Sequence, residues 1–259
     1  MKISVITINY NSGPAVERTI ASVRGQSAAC EWIIVDGASD DSSREALYEA
    51  LRPGDRFVSE PDHGIADAFN KGVALATGDW ILFMNAGDTF TGPDALANLA
   101  EAWDGKSRWI AGRAMVVNED GLRSFVRNDP PALDPRELVV RGNRLFHQAV
   151  LAQHTLFTEL GGFAPTLRIA MDYDLWVRWI MAGHAPQLFP GEVCQFRLGG
   201  VSADTVLRYR EELTVRRQAG MTNPRLTEAR LALIARLKAC TPGWMRQPLV
   251  YRIKERLRW

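Results

Sequence analysis

Residues 59–90 read SEPDHGIADAFNKGVALATGDWILFMNAGDTF, a succession of turn, helix, buried strand and polar strand end. Residues 59–64 are rich in turn formers and charge and read as a loop. Over 65–76, Ile65, Ala68, Phe69, Gly72 and Ala76 recur at helical spacing, with Asp67, Asn70 and Lys71 off that stripe. Thr77-Gly78-Asp79 ends the helix. Residues 80–84 form a short apolar run of the kind that a covered parallel strand needs. The run breaks abruptly into Asn85-Ala86-Gly87-Asp88. In open α/β sheets ligands bind beyond the carboxyl ends of the strands, so chemistry is expected here.

Working outward, residues 3–8 are a β-rich run that ends in the polar stretch Asn9-Tyr10-Asn11-Ser12-Gly13. Pro14 opens a helix with Val16, Ile20 and Val23 as its apolar stripe. Residues 31–35 are a second strand, and Asp36-Gly37-Ala38-Ser39-Asp40-Asp41 is its exit. Ser42, with Glu45 three residues on, is expected to cap the next helix. Residues 56–59 make a third short strand. This alternation predicts an α/β fold with a doubly wound, mostly parallel central sheet.

Such sheets bind nucleotides, but neither G-x-G-x-x-G nor G-x-x-x-x-G-K-[ST] occurs, so dinucleotide and P-loop chemistry are disfavoured. No Gly-Thr-Arg follows the first strand, which weakens a nucleotidyltransferase. Asp36 and Asp88 remain, as two ends of one nucleotide site. A carboxylate at the first position can accept hydrogen bonds from a base or ribose. At the second, Asp88 beside Gly87 can approach a divalent cation, because Mg2+ is usually held by one or two carboxylates plus substrate phosphates. The same four residues also suit a plain turn.

The segments SVITINYNSG, EWIIVDGASDDSS, SEPDHGIADAFNKGVALATGDW and FMNAGD together resemble family 2 glycosyltransferases of the GT-A fold, and the likeness continues more weakly to about residue 202. Asn-Ala-Gly-Asp is similar to the form found in bacterial exopolysaccharide and colanic-acid type transferases. The resemblance implies transfer of a sugar from a nucleotide-diphosphate sugar, with UDP favoured, to an acceptor hydroxyl, with inversion and with Mn2+ or Mg2+. It implies that Thr7, Asn9 and Tyr10 line the base and ribose and that Asp36 meets the base. Asp67, Asn70, Lys71, Asn85 and Asp88 then belong to the donor site, with Asp88 as the metal ligand. The usual Asp-x-Asp is reduced here to one carboxylate. Where many relatives carry Arg before the helix Asn, this chain has Phe69, which leaves Lys71 to supply charge near the diphosphate.

Further along, residues 93–103 read as an amphipathic helix, and 109–118 with 122–127 as a hairpin. His147 and Gln148 match a His-Gln pair that faces the site in similar transferases; a lone histidine is otherwise a structural hydrogen-bonder. Over 169–184, Leu175, Trp176, Trp179 and Ile180 recur at helical spacing, which puts Asp172 and Asp174 at a helix start. Capping and dipole compensation explain such carboxylates by themselves. The resemblance adds that Asp172 is the catalytic base, with Met171 replacing the usual Glu. A helix N-terminus keeps such a base ionised. QFRLGGVS at 195–202 follows a strand over 191–196 and is similar to the segment that closes over the donor. Arg197 would then meet the diphosphate, or else is a surface arginine.

The 259 residues carry a net charge of +1, unevenly spread. Residues 205–259 hold 13 Lys and Arg against 4 Asp and Glu, while residues 1–204 hold 18 against 26. The expected organisation is a GT-A domain over 1–204, its nucleotide half ending near 90 and its acceptor half following, with a basic helical tail over 205–259. In the tail, Leu226, Ala229, Leu233, Ile234 and Leu237, then Val250, Ile253 and Leu257, form apolar faces among Arg and Lys. This suits an anionic membrane interface; packing on the chain's own body or on a second subunit, as in a homodimer, is the alternative. No nucleic-acid motif accompanies the charge. Three cysteines without metal-ligand spacing, no signal peptide and no long apolar run point to a cytoplasmic protein peripheral to the inner face of the membrane. The leading function is glycosyl transfer to a growing, lipid-linked bacterial surface glycan. A nucleotidyltransferase on a similar sheet and a non-catalytic binding subunit remain open alternatives.

Overall fold

The structure, a computed structural model, describes residues 1–117, 123–127 (backbone only), 142–197 and 204–220. The nucleotide half runs β1 (Ile3–Asn9), α1 (Ala15–Arg24), β2 (Glu31–Asp36), α2 (Ser42–Glu49), β3 (Arg56–Ser59), α3 (Ile65–Leu75) and β4 (Trp80–Phe83). Then come β5 (Thr89–Phe90), α4 (Ala95–Glu101), β6 (Trp109–Val117) and β7 (Arg123–Arg127). After a 3-10 turn at His147–Ala149, the chain forms β8 (Val150–Gln153), α5 (His154–Glu159), α6 (Met171–Met181), β9 (Gln187–Arg197) and α7 (Thr205–Gln218).

Among the described residues one sheet holds all nine strands in the order β3-β2-β1-β4-β8-β6-β9-β5, with β7 added on β6. The first four pair in parallel, as their unbroken apolar runs predict. At β4 the direction changes, because β8 pairs with it antiparallel, Leu82 opposite Leu151. The second half of the sheet is mixed: β6–β9 is parallel, whereas β6–β8, β6–β7 and β5–β9 are antiparallel. The reversal at β4 has a direct consequence. The carboxyl end of β4 lies beside the amino end of β8, so the turn that carries His147 and Gln148 stands next to Asn85–Asp88.

Apolar side chains fill both faces of the sheet. On one face α3 lies so close to β1 that a Cβ on Gly72 would fall 2.4 Å from Cγ2 of Ile6. On the same face Trp109 stacks on Trp176 at 5.2 Å and meets Trp179 edge-on at 5.3 Å. These rings anchor α6 to β6, and each fully buried large side chain contributes about 1.5–3 kcal/mol or more. That anchor fixes the position of the helix start where Asp172 sits.

Three local expectations are corrected. Asp41, not Ser42, caps α2, its carboxylate accepting from the Ser43 N–H at 3.0 Å and from the Gly13 N–H at 2.7 Å. The helix read over 93–103 is the shorter Ala95–Glu101. The strand read over 191–196 is the longer Gln187–Arg197. At the start of the tail, α7 packs on α6 and buries Tyr209, Leu213 and Val215. The hairpin turn, Gly199-Gly200, Cys240 and both amphipathic tail segments lie outside the described residues. Among the described residues no helix is long and apolar enough to cross a membrane.

Candidate active site at the end of strand β4

Beyond β4 the chain stays paired with β1 through Met84 N–H to Ile6 O at 2.8 Å and Ala86 N–H to Ile8 O at 3.2 Å. Asp88 N–H then returns to Asn85 O at 3.0 Å, closing a turn in which Gly87 takes φ +98°. Glycine alone adopts that backbone without strain. Thr19, fully buried on α1, clamps the turn: its Oγ1 accepts from Gly87 N–H at 2.9 Å and donates to Asp88 O at 2.8 Å. The turn reading and the ligand reading of Asn-Ala-Gly-Asp are therefore compatible, since the turn holds the Asp88 side chain inward.

The Asp88 carboxylate is 7% exposed. Its Oδ2 accepts from Gln148 Nε2 at 2.6 Å and its Oδ1 from the Arg197 N–H at 3.1 Å. Burial pushes its pKa up to about 6, against the opposing pull of these two hydrogen bonds and of the Arg197 charge. The neighbouring His147 presents Nε2 to Asn85 Nδ2 at 2.9 Å and Nδ1 to Asp172 Oδ2 at 3.6 Å. An amide nitrogen can only donate, so Nε2 is the acceptor and the ring proton sits on Nδ1, facing Asp172.

Asp172 is the second residue of α6. Its Oδ1 accepts from the Tyr173 N–H at 2.7 Å and from Asn143 Nδ2 at 2.9 Å. Among the described residues its Oδ2 makes only the longer approach to His147, which leaves lone pairs for an incoming hydroxyl. One chain of contacts thus joins Asn85, His147 and Asp172, and a second joins Asp88, Gln148 and the Arg197 backbone.

The remaining expected residues form two other groups. Thr7 is fully buried, donating to Met84 O at 2.7 Å and accepting from Trp32 Nε1 at 2.8 Å. Asp36 is fully buried as well and accepts from Asn9 Nδ2, Ser39 N–H and Oγ, and Ser59 Oγ at 2.5–3.0 Å. Burial raises its pKa, but the bonds from Ser39, Ser59 and Asn9 outweigh this and hold the carboxyl below its ordinary value. Thr7, Asn9 and Asp36 therefore brace the strand ends from within, while Tyr10 stands out at 69% exposure.

On α3, Asn70 gives both ends of its amide to the Phe163 backbone, at 2.8 and 2.9 Å. Lys71 pairs with Glu60 of the preceding loop at 2.9 Å and with Asp67 of α3 at 3.4 Å, and its Nζ donates to Pro61 O at 3.0 Å.

Phe69 and several residues that sequence reasoning passed over support the site. Phe69 is buried with its ring edge-on to His147 at 5.2 Å and forms an apolar wall there. Asn143 holds the candidate base. Glu211 of α7 accepts from the N–H groups of Arg168, Ile169 and Ala170 at 2.8–2.9 Å, just before α6 begins. Thr19 lies on the apolar stripe of α1, an oddity that the sequence does display.

A hard divalent cation fits the Asp88 corner. Asn85 in the same turn and Gln148, bonded to Asp88 through Nε2, each carry a buried side-chain oxygen that has no hydrogen-bond partner among the described residues. Among the described residues no group of three or more His, Cys, Asp or Glu could hold a metal unaided, so such an ion needs oxygens from a ligand.

Comparison with known proteins agrees with this geometry. The glycosyl transferase family 2 model matches residues 4–172, from the first strand to the candidate base. An uncharacterized glycosyltransferase of Mycobacterium tuberculosis is 32% identical over 208 residues, 78% of this chain and 77% of its own. A PGL/p-HBAD biosynthesis glycosyltransferase of Mycobacterium bovis is 30% identical over 179 residues, 68% of each chain. Among solved structures, Staphylococcus aureus TarS 1-349 in complex with UDP-GlcNAc superposes with TM-score 0.67 at 17% identity, over 85% of this chain and 65% of that one. Against the longer S. aureus TarS chain, this protein spans 39% of the length. The Pyrobaculum calidifontis mannosyltransferase PcManGT, in complex with GDP-Man and Mn2+, superposes with TM-score 0.65 at 19% identity, over 99% of this chain and 80% of that one. The fold is GT-A, and with residues 4–172, well over half of its 259 residues, under the family model this chain belongs to glycosyl transferase family 2.

Proposed function

We propose that the protein moves a sugar from a nucleoside-diphosphate sugar, UDP-linked by preference, to a hydroxyl of a lipid-linked glycan, by a single inverting displacement. The observation that carries this is Asp172: a buried carboxylate at a helix start, with Oδ1 accepting two hydrogen bonds and Oδ2 turned toward His147. The acceptor hydroxyl gives its proton to Asp172 Oδ2 as its oxygen attacks the anomeric carbon. The bond from that carbon to the diphosphate oxygen breaks, and the nucleoside diphosphate leaves with the electron pair. The Nδ1–H of His147 steadies the carboxylate without taking its place as base. Asp88 would hold a divalent cation, Mn2+ or Mg2+, which when bound supplies Lewis-acid neutralisation of the leaving diphosphate.

The donor assignment is supported by UDP-GlcNAc and GDP-Man in the two structural neighbours. The acceptor assignment is supported by the acidic body and basic tail, which suit a cytoplasmic enzyme peripheral to an anionic leaflet. The test is a thermal-shift screen of nucleotide-sugars with and without Mn2+, followed by transfer assays with the stabilising donor. Stabilisation by one class of nucleotide-sugar and release of its nucleoside diphosphate are expected. No stabilisation by any donor, with or without metal, would reject the reading.

A further inference from the structure

Gln148 is 1% exposed, yet only half of its amide is bonded. Nε2 donates to Asp88 Oδ2 at 2.6 Å, while Oε1 has no partner. Asn85 is in the same state: Nδ2 meets His147 Nε2 at 2.9 Å, and Oδ1, although buried, has none. Among the described residues these two are the buried side-chain oxygens left without a hydrogen-bond partner. Both border the Asp88 corner, since Asn85 and Asp88 share one turn and His147 and Gln148 share another. Orphaned buried oxygens are rare enough to require an explanation, commonly a missing water or ion. A carboxylate cannot satisfy an amide oxygen, because both are acceptors, whereas a hard cation satisfies all three groups at once.

Resting on the nucleotide-sugar reading of this site, we infer that Gln148 is a metal ligand of this enzyme. Its amide turns over, exchanging the Nε2 bond to Asp88 for an Oε1 bond to the cation, and Asn85 Oδ1 supplies a further neutral oxygen. The two amides stand in for the carboxylate that the Asn85–Asp88 turn lacks. Without a cation the Nε2 donor covers Asp88; with one, the same side chain helps to enclose it. Two neutral ligands and one charged ligand bind such ions weakly, so the diphosphate completes the set and the ion is held firmly only with nucleotide present.

The experiment measures bound Mn2+ by the loss of its free-ion electron paramagnetic resonance signal, for Mn2+ alone and with saturating UDP. Gln148→Glu and Asn85→Asp each turn a neutral oxygen into a carboxylate and should tighten Mn2+ binding by about tenfold or more. Gln148→Met keeps length and burial without the oxygen and should weaken it by about as much. Circular dichroism confirms folding, and Asn85→Asp tests the same corner should a Gln148 variant fail to fold. Mn2+ affinity unchanged across parent and variants would overturn the inference and assign the orphan oxygens to a buried water. Calorimetry with UDP in chelator separates the two readings. UDP binding and sugar transfer that persist in chelator, with no Mn2+ bound, would overturn the metal role and leave the transferase reading standing. Mn2+ affinities that differ among the variants while no nucleotide binds would support the ligand role and sink the transferase reading.

Discussion

Asp172 Oδ2 and His147 Nδ1 face each other at 3.6 Å, and the ring carries its proton on that side. The approach is too long to saturate the carboxylate but close enough to orient it. Asp172→Asn retains the size, and its Oδ1 still accepts from the Tyr173 N–H, so α6 should keep its start. What is lost is the capacity to take a proton. Turnover should fall by ~10²–10⁴ with donor affinity little changed. Steady-state kinetics alongside UDP-sugar calorimetry checks this, and near-normal turnover in the variant would move the base elsewhere.

Asp88 gives a stability prediction with a definite sign. Its folded pKa is about 6 against an ordinary 3.8, chiefly through burial. A raised carboxyl pKa means that the fold prefers the protonated form. Below about pH 4 the proton is bound in both states and the fold bears no penalty. As pH rises through 6 the fold comes to carry a buried anion, at a cost on the order of 3 kcal/mol. In chelator, Asp88→Asn should therefore be more stable than the parent at pH 8, with the gap closing by pH 4. Melting temperatures across that range decide it; a gap that does not vary with pH would refute the burial argument.

How much of this was legible in the sequence depends on how local each signal is. Strands β1, β2 and β4 are apolar runs that stop at polar residues, and α6 announces itself through Leu175, Trp176, Trp179 and Ile180. Asp88 could be singled out because it follows such a boundary, whereas Asp172 shares its helix start with Asp174 and was picked out by the family resemblance. The contact of Gln148 with Asp88 could not, because it depends on β8 pairing antiparallel with a strand about seventy residues earlier in the chain. The Ser59 bond to Asp36, which needs β3 to pair with β2, was hidden for the same reason, as was the Asn70 grip on Phe163 across 93 residues. Even the α2 cap was misplaced by one residue, since Asp41 and Ser42 are equally good cap types and only the Gly13 N–H on Asp41 distinguishes them.

The tail prediction rests on charge. Residues 205–259 are basic where residues 1–204 are acidic, so an anionic leaflet would repel the body and attract the tail. Each basic residue near such a surface contributes about 1 kcal/mol, an attraction screened within ~8 Å at physiological salt. Replacing Arg252, Lys254, Arg256 and Arg258 together by Gln should remove about 4 kcal/mol of membrane affinity. Flotation with anionic vesicles should then be lost while transfer to a soluble acceptor survives. Flotation of the parent that is insensitive to salt and to lipid charge would place the tail against protein instead.

Glu211 connects that end of the chain to catalysis. Ala170, at the start of α6, offers no side-chain cap of its own, and the cap comes from α7. Glu211 Oε1 takes the N–H of Arg168 at 2.9 Å, and Oε2 takes those of Ile169 at 2.8 Å and Ala170 at 2.9 Å. A buried anion on the positive end of a helix is well placed, and charge-assisted bonds of this kind are about twice as strong as neutral ones. Glu211→Ala strands three N–H groups and should cost about 3 kcal/mol or more. Glu211→Gln, which keeps one acceptor oxygen, should cost about half of that. Because Asp172 is only two residues beyond Ala170, the loss should appear in kcat more than in donor affinity. A change in stability alone could imitate that result, so the comparison is Leu213→Ala, also on α7 and buried at 4% exposure but remote from the cap. Its loss of about 2–5 kcal/mol should lower the melting temperature comparably. If Leu213→Ala, matched for stability, lowers kcat as far as Glu211→Ala does, then α7 merely holds the domain together. If kcat falls only when the cap is removed, and Glu211→Gln lies between, Glu211 positions the base.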